Sequence, residues 1–423
     1  MKKMITDIRT VAALLMASAT FAACSSDDNI IEEQPVQPTE QVYTMTVNAQ
    51  KGGDAADSRA TTRALSLSGS TLNATWTAGD EVEVWTSDGT TTKYGTLTAE
   101  TSGASTTLKG TLTTLPTSGE ALLLKYLSPA YATQDGTLTG SATSIDRVCD
   151  YATATDADFV NRQAIVKFTL KDKADGTTAL SVSKLFVTAS GTTCTVTPSS
   201  ATSELYVAVP GINNGRVTLT ALSGGIYYDY LKTGVTFAQS QYYAISASLT
   251  EVKSISNAST ASFGRVVAAD GKMYASVESA TNAGTTPLAV IAQVDELFMY
   301  NEYMAIAIDE GWQMNWNDAK NYIDNKTAVS GADWLFPTLD EWREMFKANG
   351  GNQNSWTGLN TLFTKAAGRG LISGREYWTS TDDVPNGNKC TIILSTNNGS
   401  AYWVGDMDTS YLRYVRAFLF WHG

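Results

Sequence analysis

The stretch Ala164-Ile165-Val166-Lys167-Phe168-Thr169-Leu170 decides how this chain is read. Val166, Phe168 and Leu170 alternate with Lys167 and Thr169. That is the period of a strand with one face on a core and one face in water. The same text stands at Val42-Tyr43-Thr44-Met45-Thr46-Val47, at Glu81-Val82-Glu83-Val84-Trp85 and at Tyr242-Tyr243-Ala244-Ile245-Ser246-Ala247-Ser248-Leu249. Asp88-Gly89, Asp135-Gly136, Asp175-Gly176 and Asn214-Gly215 punctuate it, pairs that suit tight turns. Many short strands with regular turns predict a sandwich or a barrel. No long amphipathic helix breaks the text from Tyr43 to about Glu251. This length exceeds one ordinary sandwich, so two β domains are expected, at 42–150 and 151–252. Their joint falls near 145–160, in the Ser/Ala/Thr/Asp-rich stretch after Ser141.

From residue 253 the text changes. Trp316, Ala319, Tyr322 and Ile323 have helical spacing, with Asn315 placed to cap. Thr338 stands three residues before Glu341, a capping-box pattern, and Pro337 breaks the chain ahead of it. Trp342, Met345 and Phe346 supply that helix with an apolar face. Short strands return at Lys389–Ser395, Ser400–Val404 and Tyr414–Phe420. The reading is an α+β domain over 253–423. Eight of the ten tryptophans lie between Trp312 and Trp421, and their skew marks the boundary.

Composition excludes several functions. Of 423 residues, 17% are charged, and the net charge of −12 comes with no basic run. That argues against binding a phosphate backbone, so no nucleic-acid partner is expected. The single histidine is His422, which leaves no His for the usual nucleophilic triads or zinc sites. There is no CxxC, Walker or G-x-S-x-G motif. Asp340 and Glu341 are neighbours in sequence, but on a helix they face different ways. No enzyme activity, metal or cofactor is expected.

The N-terminus is an export signal. Lys2, Lys3 and Arg9 precede an apolar run from Val11 to Ala23 that is too short to span a bilayer. Phe21-Ala22-Ala23-Cys24 resembles a bacterial lipobox, with Phe21 in place of the usual Leu. The resemblance implies a signal peptide at 1–23 and acyl chains on Cys24, enough for stable anchoring in the outer membrane. Asp27-Asp28 resembles a surface-export signal of lipoproteins. Residues 24–41 are polar and Pro-containing, a tether. Cys149, Cys194 and Cys390 remain, an odd number, so at least one is unpaired or all are buried thiols.

Several motifs resemble those of the fimbrillin-like surface pilins. They are the stretch from Arg63 through "ATWTAGDEVEVW", then "NRQAIVKFTL", "LYVAVP" and "QYYAISASL". The resemblance covers about 42–250 and implies two transthyretin-like β-sandwiches. It also implies a lipidated precursor, cut after an arginine so that the first strand leaves and another pilin subunit's extended segment replaces it. Arg59 and Arg63 are the candidate cleavage sites, with Arg147 a weaker third. Further on, "GRVVAADGKMY", "NWNDAKNYI", "WLFPTLDEWREM", "YWTSTDD" and "VRAFLFW" resemble a C-type-lectin-like domain over about 263–423. The domain lacks the EPN or QPD calcium motif and paired disulfides, so calcium-dependent sugar binding does not carry over.

The resemblance to pilins implies a cell-surface protein. The expectation is a tip subunit, with a glycan or protein ligand on a host or bacterial surface held by the C-terminal domain. A glycan-binding lipoprotein outside any pilus and a pilus anchor are the alternatives. Most tryptophans are expected in the core. Trp312, Trp356 and Trp403 are the candidates for an exposed platform, because they lie in loop-like or alternating text and rings can hold sugars. Asp382 and Asp383, in an oxygen-rich stretch, and Asp406 and Asp408, in another, are the candidate polar ligands beside them.

Overall fold

The computed structural model describes residues 43–51, 66–68, 71–73, 75–117, 119–126, 132–138, 151–153, 158–161, 163–239, 241–296, 301–383, 388–396 and 399–423. Cys24, Arg59, Arg63, Arg147 and Cys149 lie outside the described residues. The chain is mostly β, in several sheets. It divides into two compact units. One comprises Met1–Lys167, Tyr206–Gly211 and Phe237–Ala244; the other comprises Phe168–Leu205, Ile212–Thr236 and Ile245–Gly423.

In the first unit a sheet closes on itself. Its strands run in the order Tyr43–Lys51, Asp158–Asn161, Tyr151–Thr153, Leu122–Tyr126, Glu81–Thr86, Lys93–Ala99 and Ser105–Leu112, which meets Tyr43–Lys51 again. Alternation fills the inside. Val82 and Val84 are fully buried while Glu81 is exposed. Leu97, Leu108, Leu124, Ala49 and Phe159 join them, and Trp76 meets Phe159 edge-on at 5.1 Å. Gly95 and Gly110 permit the tight coil. A Cβ on Gly95 would lie 2.3 Å from the Thr111 carbonyl oxygen, and one on Gly110 2.1 Å from that of Thr96.

In the second unit the strands Thr192–Val196, Lys184–Ala189, Ile212–Ser223, Ile226–Phe237 and Tyr242–Glu251 are successive neighbours in a sheet. Gly176 turns with φ of 70°, as the Asp-Gly signal demands. Asn214-Gly215 differs. It lies inside the strand Ile212–Ser223, and Asn214 takes φ of 50° without ending it, since Asn tolerates that region.

The α+β part follows in the same unit. A sheet orders its strands Lys253–Ser254, Lys272–Tyr274, Val266–Ala268, Pro287–Glu296, Asn301–Ala307, Phe418–His422 and Asp333–Leu335. Alternate residues serve two cores. Val290, Ile306 and Phe418 face one that holds Trp342, Phe346, Leu359 and Phe363; Ile291, Tyr303, Leu419 and Trp421 face the other. Four helices are described: α1 (Val277–Asn282), α2 (Trp316–Asp324), α3 (Leu339–Ala348) and α4 (Thr357–Ala367). Asn315 caps α2, and Thr338 with Glu341 forms the expected capping box of α3. The expected strand Tyr414–Phe420 is two, Arg413–Val415 and Phe418–His422, in different sheets. Arg416 between them is 3% exposed and donates from Nη1 to the Ala307 carbonyl at 2.7 Å.

This part is tied to the preceding sheet by buried and half-buried polar contacts. Asp229 accepts from Nη2 of Arg265 at 2.8 and 3.0 Å and from the Ala275 amide at 2.6 Å. Arg216 donates from Nη2 to Glu278 at 2.6 Å and to the Ala366 carbonyl at 2.8 Å.

Candidate functional site

The candidate residues of the C-terminal part cluster around a second, smaller sheet. Its strands run in the order Gly311–Met314, Arg413–Val415, Glu376–Asp383, Asn388–Leu394 and Ala401–Met407. Hydrogen-bonded register places Tyr377, Ile392 and Trp403 in a row, and Glu376, Ile393 and Tyr402 in the next. Tyr377 and Ile392 are core residues, so Trp403 continues a buried row out to the last strand, where the residue is 52% exposed. Tyr402 points to the other face and is 51% exposed.

Asp382 and Asp383 stand at the end of the strand Glu376–Asp383, opposite Lys389 and Asn388. Lys389 pairs with Asp382 and lies 4.4 Å from the Trp316 ring centroid, so this carboxylate is already matched. Asp383 comes close to Trp403 through Gly405. A Cβ on Gly405 would lie 3.0 Å from Oδ2 of Asp383 and 3.3 Å from Cζ3 of Trp403. Asp408 accepts from the Ser410 amide at 2.8 Å, and that bond holds its carboxyl below the usual range. The side chain of Asp406, on the same strand as Trp403, lies outside the described residues. Asp382, Asp383 and Trp403 therefore share one corner of the sheet.

The other two tryptophans lie elsewhere. Trp312 is 80% exposed, on the strand Gly311–Met314 at the opposite edge. Trp356 is expected on an exposed platform and is instead 7% exposed, in the core with Leu359 and Phe363. The cause is α4, unforeseen in the sequence. Trp356 precedes its first residue, and its amide donates to the Gly399 carbonyl at 3.1 Å, drawing the ring inward. The three tryptophans thus form no common platform. Exposed Tyr402, Tyr411 and Leu412 were not singled out in the sequence. Tyr402 was within reach, since it adjoins Trp403 in an alternating strand.

Behind the sheet is a polar knot. Glu310 takes a hydrogen bond from the Tyr377 hydroxyl and ion pairs with Arg375 at 2.8 Å and Arg416 at 3.5 Å. Arg413 pairs with Glu376 at 2.7 Å. These bonds hold the strands in register. Cys194 and Cys390 are buried free thiols; burial pushes Cys194 up to about 12 and Cys390 in the same direction. Neither is poised as a nucleophile. Among the described residues no group of three His, Cys, Asp or Glu could hold a metal ion.

No protein-family model matches the chain, and no curated protein matches it. Among solved structures it is similar to a fimbrial protein from Bacteroides ovatus, at 10% identity and a TM-score of 0.25, over 82% of this chain and 95% of that one. It is also similar to a fimbrial assembly protein from Parabacteroides distasonis, at 14% identity and a TM-score of 0.27, over 50% of this chain and 95% of that one. Similarity this loose carries no argument about what the chain does.

Proposed function

We propose that this chain is a surface lipoprotein pilin, assembled by strand exchange and placed at the pilus tip, with its C-terminal part as the adhesive head. One observation carries the reading. The strand Tyr43–Lys51 lies between two neighbours in the closed barrel. Among the described residues it pairs over eight residues, Tyr43 to Gln50, with Ser105–Leu112, and at Gln50 and Lys51 with Asp158–Asn161. Arg59 and Arg63 follow it in sequence, in the segment that joins it to the rest. A cut at either frees this strand, and its loss opens the barrel. It would bare the edge of Ser105–Leu112 and the slot filled by Met45, Val47 and Ala49. An extended strand from another subunit then restores both the ladder and the core.

The tip position rests on the C-terminal part. A shaft subunit offers an extended strand to the next subunit. Here the second β region leads instead into a folded domain, and the strand Phe418–His422 is held between Asn301–Ala307 and Asp333–Leu335. The acyl group on Cys24 belongs to the precursor. Exposed Trp312, and Trp403 beside Asp383, are the ligand candidates that remain on the surface. They also suit the second reading, a glycan-binding lipoprotein outside any pilus.

The N-terminal sequence of the surface form tests the proposal. A start at Ala60 or Ala64, with a strand of another subunit co-purifying, is expected. A chain that keeps a blocked, acylated Cys24 sinks the pilin reading and leaves the second one.

A further inference from the structure

The strand Tyr43–Lys51 meets Ser105–Leu112 in an antiparallel register that sets Met45 opposite Gly110, Val47 opposite Leu108 and Ala49 opposite Thr106. These are the inward pairs. Ala49, Thr106 and Leu108 are buried, and Met45 and Val47 are half-buried against the barrel core. Thr44 and Thr46 alternate with them and are exposed. The opposed side chains complement one another in size. Met45, the longest, faces the residue with no side chain, and Ala49, the smallest, faces a threonine. On its other side Gly110 is opposed by buried Leu97, so two long side chains flank the place where Gly110 has none. Gly110 has to stay bare, because a Cβ there would lie 2.1 Å from the Thr96 carbonyl oxygen.

We propose that Gly110 sets the register of the segment that replaces Tyr43–Lys51, by admitting a long side chain at one position only. The proposal rests on the strand exchange of the preceding section and adds what the incoming segment is. It is extended, antiparallel to Ser105–Leu112 and polar where it faces out. Inward it carries three alternate apolar residues of falling size, in the order of Met45, Val47 and Ala49. A slip of one residue turns the polar set inward, so the alternation excludes it. A slip of two residues keeps every side chain on its face, and neither the ladder nor the alternation resists it. Size does. One slip of two sets the long residue against Leu108, and the other sets it against Leu112, both already buried side chains. The second also sets the Val47 position against Gly110 and leaves part of the bare place unfilled. Overfilling one position and underfilling another both weigh against the slipped registers.

Peptide uptake tests it, on the full chain carrying Cys24→Ser so that no acyl chain contributes. The chain is cut with an Arg-specific protease until it begins at Ala60 or Ala64, separated from the released piece in urea, and refolded with an excess of one labelled peptide. The first peptide is the nine-residue Tyr43–Lys51 itself. The second carries Met45→Ala and Ala49→Met, the same composition with the order of size reversed. The third carries Met45→Leu and stays long at that position. The first is expected to be held, with slowed amide exchange along Ser105–Leu112, and the second to be held about a hundredfold more weakly. The third is expected within about tenfold of the first. Equal binding of the first and second overturns the size rule and leaves strand exchange standing. So does a Met45→Leu peptide held as weakly as the reversed one. Uptake of none of the three sinks strand exchange, and this proposal with it.

Discussion

The barrel and the C-terminal α+β part bury their polar groups differently. Inside the barrel the core is Val, Leu, Ala and aromatic rings, and the strand ladder satisfies the backbone. Its charged side chains stay out of that core, on the outer face or in the turns. Asp88, in the turn after Glu81–Thr86, takes bonds from the Thr90 and Thr91 amides, each at 3.0 Å. The C-terminal part buries polar groups in its interior and where it meets the preceding sheet: Arg416 with Glu310 and Thr379 with the Cys390 carbonyl inside, Arg265 with Asp229 at the join. The difference follows from the backbone. A closed ladder leaves few orphan amides, whereas short strands, helices and long connections leave many that side chains must meet. A dry barrel is held by continuity of its ladder, which is the property the proposed strand exchange needs. An interior laced with specific polar bonds cannot trade a segment that way.

Three measurements can break or sharpen that contrast. The largest effect is expected from Arg265→Met, which leaves the Asp229 carboxylate buried without its cation and costs about 3–5 kcal/mol. Chemical denaturation at pH 7 reads it. Burial already pushes the Asp229 carboxyl upward. An acid with a raised folded value weighs against folding once pH exceeds its unfolded value, so the loss in Arg265→Met should shrink as pH falls toward 4. A pH-independent loss would mean that the guanidinium acts only by packing.

Thr338→Ala is next, at about 1 kcal/mol, because Oγ1 of Thr338 accepts from the Glu341 amide at the start of α3. Its melting curve should shift modestly, and an unchanged midpoint would show that the remaining bond, from the Thr338 amide to Glu341, caps α3 alone.

The smallest effect is at an exposed turn of the second unit. Asp175 is held down to about 2 by bonds from Thr178 and Thr177. Its contribution is present above the unfolded value near 3.8 and is lost as pH falls through 2. The carboxyl carbon followed by NMR should titrate near 2, and in Thr178→Val nearer 3.8. Equal midpoints in the two proteins would show that the hydroxyl bond does no holding.

Much of the fold was legible where neighbours in sequence are neighbours in space. The strand Gln163–Asp172 follows from its alternation, α2 and α3 from their caps, and the turns at Gly89, Gly136 and Gly176 from Asp-Gly pairs whose glycines take positive φ. The candidate site was less legible. Trp356 and Trp403 stand in similar text, yet α4 folds one into the core while the last strand of a sheet leaves the other half in water. Arg416 lies in the break between Arg413–Val415 and Phe418–His422, which no local pattern announces, and that break puts it almost wholly inside.

The sequence by itself determined strands, caps, turns, the acidic surface charge and the change of text near residue 253, because each is set by residues a few positions apart. Only the tertiary structure decided that the first strand closes a barrel, that Asp229 waits for Arg265, and that Trp403 and Asp383 both approach Gly405. Those pairings join segments tens of residues to about a hundred residues apart, and local pattern says which face a residue takes but not which partner it finds.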